Sequence, residues 1–336
     1  YEDLLDRGQE TGRILLLLDE IQKLDDWENQ AKALYDAHPR LKMLISGSES
    51  LFIKIKRKSR ATLAGRIFEF RVGPLSFKEF LTFKGEDLVP PGLYPRELGR
   101  RYDEFLKIQG FPELVGVHDK EVIHKYIKES VVEKVIYRDI PHLFRIKQIS
   151  VLEGLLGIFM DDPGRVIDLV SLGNDLKISR QTLSLYLRYL EESFLVRKLY
   201  NFSGNRRKVE RKLKKVYPTI LSPALTFKED DQSRSKVFEC SVVNQLNAEY
   251  FWRDPYKNKV DVIQDGPVPL PIEIKYGKIE TSGLEAFMRK FKVGEAVIIS
   301  HDRDDIHESN GRKIRVIPAF KHFLSAEAGK KGGESS

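Results

Sequence analysis

The chain has 336 residues, of which 41% are hydrophobic and 32% charged, enough for two or three domains of a globular protein with a heavily charged surface. Its formal charge of +7 and pI near 9.1 are compatible with an anionic partner such as nucleic acid but do not require one. The single cysteine, Cys240, excludes a disulfide framework and a cysteine-based zinc site, and no apolar run reaches the roughly 18 residues of a membrane span.

An intracellular, cytoplasmic protein with no membrane partner is expected. The chain opens at Tyr1 rather than Met and enters a hydrophobic strand by residue 14, so its natural N-terminus is expected to lie upstream.

The stretch that organises the rest is Ile14-Leu15-Leu16-Leu17-Leu18, which runs straight into Asp19 and Glu20. An unbroken apolar run predicts a parallel strand buried on both faces. Acids at its end lie at the carboxyl edge of the sheet, where open α/β sheets take their ligands. This has the look of a Walker B element: Asp19 would hold Mg²⁺ through water, and Glu20 would orient and polarise the attacking water. The bland alternative is a core strand that ends in two solvated acids. A helix follows from Asp25-Asp26-Trp27 and stops at Pro39. A second strand from Lys42 then ends in Ser46-Gly47-Ser48, either a hydroxyl pair beside the Walker B strand or an ordinary turn.

Residues 54–60 form a basic run that suits phosphate contact or a solvated loop. Arg66, after Ala64-Gly65, is a candidate phosphate-facing or trans-acting arginine, with a structural ion pair as the alternative. The segment Gly73-Pro74-Leu75-Ser76-Phe77 starts the next helix, with Pro74 near its first turn.

The order of these pieces resembles a family of archaeal and bacterial ATPases of the AAA+/ASCE division, in which a nucleotide-binding domain precedes a C-terminal domain of unknown function. The segments Asp19-Glu20-Ile21-Gln22, Ser46-Gly47-Ser48, Leu63-Ala64-Gly65-Arg66, Gly110-Phe111-Pro112 and Tyr137-Arg138-Asp139-Ile140 carry the resemblance. It implies ATP and Mg²⁺ as cofactors. Asp19, Ser46, Ser48 and Arg66 would face the nucleotide, Ser46 or Ser48 would be the sensor-1 hydroxyl, and Glu20 would be catalytic. The departure is that G-x-x-x-x-G-K-[ST] is nowhere in the chain; Gly329-Lys330-Lys331-Gly332-Gly333 has the wrong order. In the family the P-loop lies upstream of the Walker B strand, so the intact protein is expected to bind ATP and this chain alone to bind it weakly or not at all.

The fold class expected is α/β in four parts: a truncated P-loop NTPase-type parallel sheet at 1–90, a helical connector or lid at 91–150, a winged helix-turn-helix at 151–218 and a restriction-endonuclease-like α/β domain at 219–327, then a flexible tail at 328–336. In the connector, Lys120 to Tyr137 reads as a helix, and Arg138 either reaches the nucleotide or pairs with Asp139. In the third part Ser179 caps a helix whose exposed positions Arg180, Gln181, Ser184 and Arg188 could face a major groove. The following hairpin carries Arg206, Arg207, Lys208, Arg211, Lys212, Lys214 and Lys215 against one acid, Glu210. Such a run suits DNA phosphates, although winged helices also serve as protein-packing modules.

In the fourth part, strands around Asp261 and around Glu273-Ile274-Lys275 place an acid, an acid and a lysine in chemical order. Glu273 and Lys275, two apart, share a strand face. Asp261 and Glu273 could share a divalent cation, and Lys275 could hold or activate the water that attacks a phosphodiester. Glu239, on the preceding helix, could add a carboxylate. This resembles the PD-(D/E)xK nuclease-like fold; the alternative is an edge-strand salt bridge. DNA is the partner expected, with a protein partner as the other candidate.

Overall fold

The computed structural model describes residues 14–21, 24–47, 66–68, 70, 72–88, 90–144, 146–203, 214–309 and 311–326. Ser48, the basic run 54–60, the hairpin residues Arg206, Arg207 and Lys208, and the tail from 327 lie outside them.

The N-terminal unit is small. Strand β1 (Ile14–Leu18) pairs in parallel with β2 (Leu41–Ile45), and helix α1 (Trp27–Ala37) connects them. Trp27 and Ala31 of α1 close over Ile21, with Leu18, Met43 and Ile45 packed alongside. The expectation that β1 is buried on both faces does not hold. Leu15, Leu17 and Leu44 are exposed by 63%, 64% and 61%, because among the described residues α1 covers one face of the pair only.

The connector is helical: α2 (Phe77–Phe83), α3 (Pro95–Ile108), a 3₁₀ turn at Pro112–Leu114, α4 (Lys120–Lys125), a π-helical stretch at Tyr126–Asp139 and α5 (Ile140–Leu143). Ser76 starts α2 with a capping box: its hydroxyl accepts from the Glu79 N–H, and the Glu79 carboxylate accepts from the Ser76 N–H. The helix thus begins at Phe77, later than Pro74 suggested. Lys120 to Tyr137 is helical as expected, but from Tyr126 the hydrogen bonds widen to the i→i+5 pattern. Ile123, Ile127 and Ile136 face inward.

Helix α6 (Ile149–Asp161), strand β3 (Arg165–Val166), helices α7 (Leu169–Asp175) and α8 (Arg180–Glu192), and strands β4 (Val196–Asn201) and β5 (Lys214–Pro218) follow. The last part holds α9 (Pro223–Thr226), α10 (Asp231–Gln245), β6 (Tyr250–Arg253), β7 (Lys259–Gln264), β8 (Leu270–Lys275), α11 (Ser282–Phe291), β9 (Glu295–Ser300), β10 (Asp305–Ser309), β11 (Arg312–Pro318) and α12 (Ala319–Ala326).

Among the described residues, one mixed sheet of nine strands runs through both parts in the order β10-β11-β9-β8-β7-β6-β4-β5-β3. It crosses the border expected at 218/219, because β4 pairs in parallel with β6 through Tyr200 opposite Tyr250 and Asn201 opposite Phe251. The Asn201 side chain fastens the joint, donating to the Arg253 carbonyl and accepting from the Arg253 N–H, each at 3.0 Å. The connector packs on the same body. Phe77 and Phe105 cluster with Tyr102, whose ring meets Phe238 of α10 edge-on at 6.1 Å. One apolar core therefore extends from Phe77 to Phe320.

Candidate functional sites

The sequence pointed to two acidic sites. At the first, Asp19 and Glu20 end β1 at the carboxyl edge, and Ser46 ends β2 beside them. The parallel pairing puts Leu18 opposite Ile45, and the Ser46 N–H donates to the Leu18 carbonyl at 2.8 Å. Oδ1 of Asp19 accepts from the Ser46 hydroxyl and, at 3.0 Å, from the Glu20 N–H. Glu20 adopts φ 51°, a left-handed conformation that turns the chain sharply off the strand. Asp19, Glu20 and Ser46 are all exposed, so the edge is open.

Arg138 lies at the end of the π-helical stretch. Its guanidinium donates to Asp139 at 2.8 Å and is held above its ordinary pKa by that bond, against a small effect of burial, and also by the charges of Asp139 and Glu20. Arg138 thus pairs with Asp139, one of its two alternatives. Arg66 is elsewhere: it pairs with Asp36 at 3.3 Å. Asp36 is in the last turn of α1, which runs back to the start of β2, so the pair sits at the strand edge opposite Asp19. The structure brings Asp19, Glu20 and Ser46 together and leaves Arg66 in the surface ion pair.

The second site is buried. Asp261 on β7 and Glu273 on β8 are each 4% exposed. Their strands are antiparallel neighbours, and Oδ2 of Asp261 accepts from the Ile274 N–H at 3.1 Å. Lys275 folds back on Glu273, with Nζ 2.9 Å from Oε1, as the two-residue spacing predicts. Oε2 of Glu273 is buried with no hydrogen-bond partner. Glu239 of α10 joins them as the sequence allowed.

Two members were not expected. Lys215, read as one charge of the basic hairpin, points inward from β5. Its Nζ lies 3.6 Å from Oδ1 of Asp261, 3.8 Å from Oε1 of Glu239 and 3.3 Å from the Tyr217 hydroxyl. Tyr217 donates to the same Oε1 of Glu239 at 2.6 Å. In the sheet order β5 lies three strands from β7, a flat separation of about 14 Å at roughly 4.8 Å per step. A lysine bridges that only where the sheet curls around α10. The period-two spacing of Lys215 and Tyr217 put them on one face; nothing local said that the face turns toward Asp261.

Burial, with the neighbouring Asp261 charge adding to it, pushes the Glu273 carboxyl up to about 8, against the opposing pull of Lys275. The same two causes, burial first and Asp261 second, raise Glu239. Burial and then the Glu239 and Asp261 charges raise the Tyr217 hydroxyl well above its ordinary value. For Lys275 burial works to lower the ammonium, and the Glu273 charge and hydrogen bond reverse it, so the net direction is up. The cluster is an electrostatically coupled set of three carboxylates and two ammonium groups.

Oxygen donors of this kind suit a hard divalent cation, which needs only one or two protein carboxylates. The orphaned Oε2 of Glu273, with Asp261 adjacent, fits that need. Among the described residues no group of three or more His, Cys, Asp or Glu is placed to hold a metal ion, so Asp261 and Glu273 would act as a pair.

The residues expected to meet DNA divide. Arg180, Gln181, Ser184 and Arg188 are exposed along α8, while Leu183, Tyr186, Leu187 and Leu190 are buried. Ser179 caps the helix, accepting from the Thr182 N–H at 3.1 Å. Arg188 lies 3.9 Å from Glu192 and over the Tyr189 ring. Among the described residues no helix is long and apolar enough to cross a membrane.

Residues 1–81 match the family described as AAA domain, and residues 99–219 match a domain of unknown function (DUF8612). The chain is 29% identical over 244 residues to the uncharacterized protein MJ1544 of Methanocaldococcus jannaschii, covering 70% of this chain and 53% of that one. It is 29% identical over 188 residues to an uncharacterized protein of Haemophilus influenzae, covering 54% of this chain and 44% of the relative. To the uncharacterized protein MJ1637 of M. jannaschii it is 25% identical over 336 residues, covering 90% and 70%. The chain thus spans about half the length of the first two relatives. No solved structure matches it. The AAA match covers the segment that contains Asp19, Glu20 and Ser46, and makes that part of the chain AAA-like.

Proposed function

We propose that the chain belongs to an ATP-hydrolysing protein that acts on DNA, with a winged helix formed by α6 to β5 to engage the duplex and the Asp261–Glu273–Lys275 cluster to meet a phosphodiester. The observation that carries the second half is the convergence of those three side chains on one buried site. The exposed polar face of α8 supports duplex contact. The Asp19–Ser46 hydrogen bond at the carboxyl edge supports the nucleotide half.

A divalent cation such as Mg²⁺, held by Asp261 and Glu273, would supply Lewis-acid polarisation of a phosphoryl oxygen. The chain's own residues do the rest. Lys275, fixed by Glu273, holds its ammonium where it can donate to a phosphate oxygen or orient an attacking water. The Ile274 N–H fixes the Asp261 carboxylate. At the other site Asp19, positioned by the Ser46 hydroxyl, would help to hold Mg²⁺, and Glu20 would orient and polarise a water for hydrolysis of bound ATP.

The test has two arms. Duplex DNA is incubated with the protein and Mn²⁺, and cleavage is expected for the wild type but not for folded Lys275→Ala. In the intact protein, ATP turnover is expected to rise with duplex and to fall about 10²-fold or more in Glu20→Gln. Cleavage without any ATP turnover would favour a metal-dependent endonuclease with a vestigial ATPase. Absence of both activities, with salt-sensitive duplex binding retained, would leave a regulatory binding module and overturn the enzymatic reading.

A further inference from the structure

The buried acid pair offers four carboxylate oxygens. Oδ2 of Asp261 is taken by the Ile274 N–H, and Oε1 of Glu273 by Lys275. Two remain for an ion: the unpartnered Oε2 of Glu273, and Oδ1 of Asp261. The second is covered by Lys215, whose ammonium stands among three oxygens, those of Asp261, Glu239 and Tyr217, at 3.3 to 3.8 Å. A divalent ion and an ammonium cannot occupy neighbouring positions on one carboxylate oxygen without strong repulsion.

We propose that Lys215 is a resident counter-cation that fills the cation position on Asp261, so that a divalent ion enters the site only by displacing it. The inference rests on the reading of Asp261 and Glu273 as a cation-holding pair. It makes strand β5, which leads out of the basic hairpin, a gate on that pair. Lys215 is a positioning residue, since it acts through Asp261.

The test is Mn²⁺ binding by calorimetry to the whole chain, with the Mn²⁺-induced rise in melting temperature as a second readout. Lys215→Met keeps most of the side-chain volume and removes the charge. It is expected to bind Mn²⁺ at least about tenfold more tightly than the wild type. Lys215→Arg keeps the charge and is expected to keep the wild-type affinity. Lys214→Met, whose ammonium lies over the Tyr200 ring, is expected to change nothing. Mn²⁺ binding that is equal in the wild type and a folded Lys215→Met overturns the proposal while leaving the acid pair as a cation site. A failure to fold in Lys215→Met passes the decision to Lys215→Arg together with Lys215→Gln, read in the same way. No Mn²⁺ binding in any variant overturns both the proposal and the cation-holding reading of Asp261 and Glu273.

Discussion

Glu273 carries the clearest pH signature in the molecule. Its carboxyl is raised from an ordinary 4.5 to about 8, so between those values the folded chain keeps a proton that the unfolded chain has released. The contribution of Glu273 to the stability of the metal-free protein is then fully present below pH 4.5 and is lost as pH rises through about 8. Melting temperatures measured across that window are expected to decline, and Glu273→Gln to flatten the decline; an unchanged slope would show that another group sets it. Tyr217→Phe removes the hydroxyl that donates to Glu239 and leaves that half-buried carboxylate short of a donor. A loss of about 1 kcal/mol in urea unfolding is expected. The residues of this site were unevenly legible. Glu273 and Lys275 could be read because period two is a local rule. Lys215 could not, because Asp261 sits three strands away in the sheet and the neighbours of Lys215 in sequence are a run of other basic residues.

At the level of elements, the joints are more specific than the elements they join. Gly283 opens α11 against β7, and a Cβ there would clash with the Lys259 carbonyl oxygen. The clash is with backbone, so α11 must move, and Gly283→Ala is expected to cost about 1–3 kcal/mol or more, read as a fall in melting temperature. The capping box at Ser76 is a milder case, with about 1 kcal/mol expected from Ser76→Ala in the same assay. Helix α8 was legible at its start, where Ser179 caps it. Other features have causes the pattern does not carry. Strand β4 starts at Val196, just after Phe194 takes a left-handed turn, with φ 56°. The π-helical widening after Tyr126 leaves the apolar residues roughly on one side, so sequence pattern could not distinguish it from an α-helix.

Across the whole molecule, sequence reading separated what the sheet unites. Strand β5 ends at Pro218, beside the border expected at 218/219. What the pattern could not reveal is the return of the chain as β6 to lie beside β4, a non-local pairing fixed by two residue pairs and the Asn201 side chain. The exposed face of β1 and β2 is the opposite case: the strands were legible from their apolar runs, but their cover was not.

The shared sheet also limits how this chain can be divided. A fragment that starts at residue 219 would leave β6 with a bare row of N–H and C=O groups where β4 had been, next to the buried aromatics Phe251 and Trp252. Such an unguarded edge recruits strands from other molecules. The fragment is expected to self-associate in size-exclusion chromatography, whereas the longer chain is protected there. It would also lack Lys215 and Tyr217, so any study of the isolated C-terminal part would examine an altered acid cluster. By the same logic, recombination at that border would separate half of a hydrogen-bonded ladder from the other half. A cut before β4 would only move the seam, because β3 pairs with β5 on its far side.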